Sequence, residues 1–289
     1  MLTRTDSQIP GRAAWVVVAT LLCQAFLFSI ASASQPLVLG IHPYLQHSEI
    51  ARRFSPLAKY LSEGLGEPVE VRVGKSYQAH IEAVAENTTD IAYLGPALYL
   101  KLTTQFRPKP LLARLEANHS PTFKAHIVVT QQSEFNSLAD LRGKKFAFGD
   151  PNSTASSAVP RALLENAGIP LTDLEAFKHY KNHTNVALAV LSGDADAGGV
   201  KEEVYHQFRD RGLRSLDESP PIPEHVFVAS DSLPAAKIEK IRALLLAIDS
   251  PELVAKLLKP IKKSATGLVP AKEEDYLALR QLIGDSLVK

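Results

Sequence analysis

The alternation of short apolar runs with amphipathic stretches is what most constrains this chain. Pro36–Ile41 reads as a buried strand. The segment from there to about Gly64 puts Ile50, Phe54, Leu57, Ala58 and Leu61 on one stripe, the spacing of a helix face. Ser48 is placed to cap that helix, and Gly64 and Gly66 to end it. Val69, Val71 and Val73 alternate with Glu70 and Arg72, as in a half-exposed strand. Tyr77–Ala85 reads as a helix and Ile91–Leu94 as a strand stopped by Gly95-Pro96. Pro96 suits the first turn of a further helix, through about Leu102. Strand and helix in repeated alternation imply a largely parallel sheet.

A second block has the same grammar. His126–Thr130 and Lys145–Gly149 read as strands, with Ser137 and Asp140 spaced as a capping box between them. Helices follow at Ser156–Ala167 and Thr184–Leu191, a strand at Ala195–Gly199 and a helix at Lys201–Arg209. Pro220–Pro223 reads as a rigid loop and His225–Ala229 as a strand. Ala235–Ile248, Pro251–Leu258 and Glu273–Ile283 give a helical C-terminal region. Two such blocks in 289 residues suggest two lobes with a cleft between them, where ligands sit beyond the carboxyl ends of the strands.

Composition narrows the class. The chain is 45% hydrophobic and 22% charged, ordinary for a globular protein. A formal net charge of +1 leaves no basic excess to displace phosphate counterions, so nucleic acid is not an expected partner. The first 33 residues read as an export signal: Arg4 and Arg12, an apolar stretch from Ala13 to Ile30, then Ala31-Ser32-Ala33 as the cleavage pattern. An uncleaved membrane anchor is the alternative, since 18 largely apolar residues nearly span a bilayer. Cutting after Ala33 removes two basic residues and one acidic one, leaving 30 of each. It also removes Cys23, the only cysteine, and with it any disulfide, thiolate metal site or thiol nucleophile.

The segment Gly149-Asp150-Pro151-Asn152-Ser153-Thr154-Ala155-Ser156 joins a strand to a helix. First-turn backbone N–H groups lack internal partners and carry partial positive charge. With hydroxyls added, this makes an oxyanion site; simple N-capping by Ser153 or Thr154 is the other reading. His183, at another helix start, could donate to an oxyanion or be structural. Tyr77 and Tyr93 could wall a pocket or pack in the core. Ser153, His183 and Asp196 can be written as a hydrolase triad, but no Gly-x-Ser-x-Gly elbow surrounds the serine. The nine histidines show no metal-ligand spacing. Neither a metal nor a cofactor is expected.

Taken together, four spaced motifs resemble the phosphonate-type periplasmic binding proteins of ABC transporters. They are Gly149–Thr154 with Val159-Pro160, Asp90–Pro96, His183–Val190 followed by Gly193–Ala197, and Ser219–Pro223. The resemblance implies a two-lobed α/β periplasmic-binding-protein fold (type II), each lobe a mixed, mainly parallel sheet flanked by helices, with ligand in the cleft. Lobe one would be residues 34–124 plus 228–289, and lobe two residues 125–227. It implies binding rather than catalysis, a small oxyanion ligand, delivery to an ABC permease, and a monomer in the periplasm. A sensory module of the same fold, feeding a membrane kinase, is the alternative. By the same resemblance Tyr77, Ser153, Thr154 and His183 are pocket positions, and Glu203 matches a carboxylate that in some members holds a ligand amine. Three departures stand out. Ala155 replaces a hydroxyl for which the neighbouring Ser156 is placed to compensate, Phe123 replaces a hydroxylated aromatic, and His225 follows Glu224 where an Asp is common. The oxyanion half of the site is expected to be kept and the specificity half altered.

Overall fold

Pairing of the apolar runs in register builds the first sheet. The computed structural model describes Met1 and residues 35–284; the expected export signal lies outside them. Of these, residues 36–284 belong to one compact unit. β1 (Leu37–Ile41) is buried along its length. It is followed by α1 (His47–Leu65), β2 (Val69–Val73), α2 (Tyr77–Ala85), β3 (Ile91–Leu94) and α3 (Pro96–Gln105). β1 runs parallel to β2 and β3 on either side, as the alternation requires.

The stripe read on α1 is the face it buries. Its cap differs from expectation: the N-cap is Gln46, with no side-chain bond, and the helix ends on Gly66 at φ 78°. That left-handed conformation favours glycine.

The chain then adds β4 (Leu111–Ala117), crosses through β5 (Thr122–Phe123), and builds a second sheet. That sheet comprises β6 (Ala125–Thr130), β7 (Lys145–Phe148), β8 (Ala176–His179), β9 (Ala197–Lys201) and β10 (Leu213–Glu218). Between them lie α4 (Val159–Asn166), α5 (His183–Ser192) and α6 (Glu202–Phe208). The return passes through β11 (Ile222–Pro223) to β12 (Val226–Ala229), α7 (Ala235–Leu246), α8 (Pro251–Leu253), β13 (Ala265–Val269) and α9 (Leu277–Ile283).

The sheet orders are β13-β4-β12-β3-β1-β2 and β10-β6-β9-β7-β8. Both are mixed. Three parallel strands form one side of each, and antiparallel pairing through β12, β4 and β13, or through β6 and β10, completes it. This is the two-lobed architecture. The two crossing segments pair with each other as the antiparallel ribbon β5–β11. Pro220–Pro223, read as a loop, therefore contributes a short strand, and the C-terminal region read as helical contains β13.

Apolar clusters line the sheet faces. One, under α1 and α7, includes Phe54, Leu57, Phe227 and Ile241. Another runs from the opposite face of the first sheet through Leu98 and Tyr99 to Ala155, Val159 and Ala162, so it is shared between the lobes. Two more cover the faces of the second sheet. Gly199 on β9 permits a close approach: a Cβ there would lie 2.9 Å from Pro160 Cβ and 3.2 Å from the Ser156 carbonyl. Seating the start of α4 on β9 fixes the turn that precedes it.

Candidate functional site

The carboxyl ends of four parallel strands open on one cavity of about 60 Å³. β1 delivers His42, β3 delivers Gly95, β7 leads to Asn152–Thr154, and β9 ends in Lys201. Counting about 10–15 Å³ per water-sized occupant, this is room for roughly five non-hydrogen atoms, the size of a small tetrahedral oxyanion.

Of the nine residues expected at the site, seven line this cavity: Tyr77, Tyr93, Phe123, Ser153, Thr154, His183 and His225. Ser156 and Glu203 are not among its lining residues. Ser156 lies behind the cavity wall, and its hydroxyl donates to Ser153 Oγ at 2.8 Å. Glu203 is held by lysines, as described below.

The strand-to-helix segment enters α4 through a π turn, Thr154–Ala158, with Ser153 as N-cap. Ser153 Oγ accepts from Ser156 N–H at 3.4 Å as well as from its hydroxyl. Thr154 Oγ1 accepts from Ala97 N–H at 2.9 Å, in the first turn of α3. Both hydroxyls thus have protein donors on their oxygens, which leaves their own protons free to donate. Both residues face the cavity. Gly149 lies directly behind: a Cβ there would meet the side chain of Ser156, at 2.7 Å from its Cβ.

Four histidines gather near this wall, and their partners fix their tautomers. His42 Nδ1 and His80 Nε2 face the Tyr93 carbonyl at 3.1 and 3.3 Å. A carbonyl only accepts, so both nitrogens carry hydrogens. His183 Nδ1 accepts from Lys201 N–H at 3.2 Å; its proton is therefore on Nε2, available as a donor. His225 Nδ1 faces Glu224 Oε2 at 3.3 Å. The His225 ring stacks with Tyr93 and with His42, at centroid distances of 5.0 and 5.6 Å.

Burial keeps these rings neutral. It pushes His183 down to about 3, with Lys201 and His225 adding to the effect, and His80 down to about 4. His42 is held well below its ordinary value, first by burial and then by His225 and His80. For His225, burial outweighs the opposing Glu224 carboxylate. The Tyr77 and Tyr93 phenols are pushed up by burial and stay protonated.

The charges are paired. Glu224 is fully buried and contacts Lys262. Burial raises its carboxyl, but His225 and Lys262 overcome this and hold it at about 2. Glu203 Oε2 lies 2.6 Å from Lys201 Nζ, and Glu203 Oε1 lies 3.7 Å from Lys262 Nζ and takes the Ser264 hydroxyl at 3.1 Å. Burial raises Glu203 too, and the two lysines more than offset it. Lys201, Lys262 and Glu224 line the cavity with His42 and Tyr44, and sequence reasoning singled out none of them as ligand contacts. His42 was findable, because it directly follows a parallel strand, and ligands in such folds sit beyond the carboxyl ends of the strands. Lys262 carried no signal: it stands among Lys259 and Lys263 and reads as a solvated run.

Hydrolase geometry is not formed. Asp196 Oδ2 accepts from Lys145 N–H at 2.8 Å, at the start of β7, and His183 Nδ1 is turned to a backbone N–H. Among the described residues no cluster of His, Cys, Asp or Glu could hold a metal ion, and no helix is long and apolar enough to cross a membrane.

Residues 39–276 match the family model described as ABC transporter, phosphonate, periplasmic substrate-binding protein. The phosphate-import protein PhnD of Mycolicibacterium smegmatis is 24% identical over 307 residues, covering 94% of this chain and 96% of that protein. A probable ABC transporter phosphite-binding protein, PhnD1 of Prochlorococcus marinus, is 25% identical over 205 residues, 66% of each chain. The solved structure of PhnD1 from Prochlorococcus marinus in complex with methylphosphonate superposes with a TM-score of 0.76 at 21% identity, covering 87% of this chain and 97% of that one. At that identity the likeness is one of fold.

Proposed function

The chain belongs to the periplasmic substrate-binding proteins of phosphonate ABC transporters, and we propose that its cavity grips a small oxyanion of the phosphate, phosphite or alkylphosphonate class. One observation carries this reading: Ser153 and Thr154 both line the cavity with their oxygens already occupied by protein donors and their protons free. His183 Nε2–H, the Tyr77 phenol and the two lysines supply further donors. Hydrogen bonds to a charged acceptor are worth about 1.5–3 kcal/mol each, and burial of the site raises their effect.

In this reading the protein is exported, cut after Ala33, and works in the periplasm. The lobes turn about the β5–β11 ribbon and close on ligand. Residues 34–124 with about 228–289 make one lobe and residues 125–227 the other, with the start of β12 reaching back across that boundary. The loaded protein delivers its ligand to a membrane permease and catalyses nothing itself.

Thermal-shift measurements with phosphite, phosphate and methylphosphonate test the reading. Ligand at a hundredfold excess over Kd adds about 2.7 kcal/mol, which for a domain of this size is a rise of roughly 5–10 °C. Absence of a shift with all three, in protein stripped of ligand, would sink it.

A further inference from the structure

Lys262 lies in the loop before β13, and its side chain is only 12% exposed. Its ammonium contacts Glu224, lies 3.7 Å from Glu203 and sits 5.6 Å from the Phe123 ring centroid. A fully buried carboxylate, a half-buried one and an aromatic face are the chemistry that holds an ammonium ion. Here the ammonium belongs to the chain.

Each carboxylate oxygen on this wall already has a partner among the described residues. Glu224 Oε2 is taken by the His225 ring and backbone N–H groups, and Oε1 by Lys262. Glu203 has one oxygen on Lys201 and the other on Ser264. Two lysines balance two glutamates, and the histidines around them are neutral. A tethered cation is also already in place, whereas a ligand amine must give up free motion to take its position.

We propose that Lys262 is a built-in cation that closes this wall to amine-bearing ligands and restricts the site to oxyanions without a cationic group. Its ammonium keeps donors for the anion, with Glu224 and Glu203 positioning it. This rests on the oxyanion reading above.

The test is calorimetric titration with methylphosphonate, 2-aminoethylphosphonate and n-propylphosphonate, the last having the shape of the second without its charge. The parent protein is expected to bind methylphosphonate at least about tenfold tighter than 2-aminoethylphosphonate. Lys262→Ala uncovers the two carboxylates and should raise affinity for 2-aminoethylphosphonate by about tenfold or more, with no such gain for n-propylphosphonate. Lys262→Arg keeps the cation and should keep the parent's preference. The inference is overturned if the parent binds the amine-bearing ligand as tightly as methylphosphonate. It is equally overturned if Lys262→Ala gains nothing for that ligand, or gains as much for n-propylphosphonate. Binding by the parent of none of the three, nor of phosphite or phosphate, overturns the oxyanion reading instead. Should Lys262→Ala fail to fold, the parent still decides, because it must bind 2-aminoethylphosphonate more weakly than n-propylphosphonate of the same size; equal or tighter binding of the amine overturns the inference.

Discussion

Replacing Ser153 with alanine separates a ligand donor from a helix cap. The hydroxyl has two roles. It accepts from Ser156 N–H and Ser156 Oγ, and its proton is free to face the ligand. Loss of a hydrogen bond to an anion costs about 1.5–3 kcal/mol, which is roughly 10- to 150-fold in Kd. Loss of the cap costs about 0.5–2 kcal/mol of stability. Ser156→Ala is the control. It leaves the Ser153 proton in place and removes only the donor behind it, so the cost in binding is about 0.5–1 kcal/mol, roughly two- to fivefold. Calorimetric titration of both variants with the tightest of phosphite, phosphate and methylphosphonate reads the difference. Equal losses at the two positions would refute the assignment of direct and supporting hydroxyls. Unchanged affinity in Ser153→Ala would refute the donor role outright.

Stability should fall on acidification. His80 and His183 titrate at about 4 and about 3 in the fold, against an ordinary value of 6.5. The unfolded chain therefore binds more protons below 6.5, and each histidine removes about 1.4 kcal/mol per pH unit until its folded value is reached. Glu224, at about 2 against 4.5, adds a loss with the same sign below 4.5; a urea midpoint unchanged between pH 7.5 and 5 would contradict this. Lys262→Met strands the buried Glu224 charge and should destabilise by about 3–5 kcal/mol, with part of the loss recovered by adding Glu224→Gln; a simply additive double variant in urea melts would argue against coupling. Gly199→Ala drives a methyl into Pro160 and should cost about 1–3 kcal/mol, read as a lowered thermal midpoint.

The two lobes were legible because their parallel strands are continuous apolar runs separated by amphipathic helices. Strands with weaker patterns were not. β4 carries Arg114 and Glu116, and β10 carries Arg214, Asp217 and Glu218. β8 is exposed along its whole length, and β13 gains its place only by pairing with β4. At the site, Ser153, Thr154 and His183 announced themselves by standing at helix starts. Ser156 was read as a ligand contact because sequence spacing does not reveal depth: one π turn sets it behind Ser153 instead. The resemblance matches Glu203 to a carboxylate that in some members holds a ligand amine. Its partner Lys201 is two residues away, but Lys262 and Ser264 lie about sixty residues away along the chain, a distance over which local pattern says nothing.

A crystal structure of the protein with methylphosphonate bound is the most direct measurement. The phosphonate oxygens are expected within hydrogen-bonding distance, about 2.5–3.2 Å, of the Ser153 and Thr154 hydroxyls, with His183 Nε2 as a further donor. A phosphonate group seated away from both hydroxyls, with Ser153 and Thr154 bonded only to protein, would contradict this expectation.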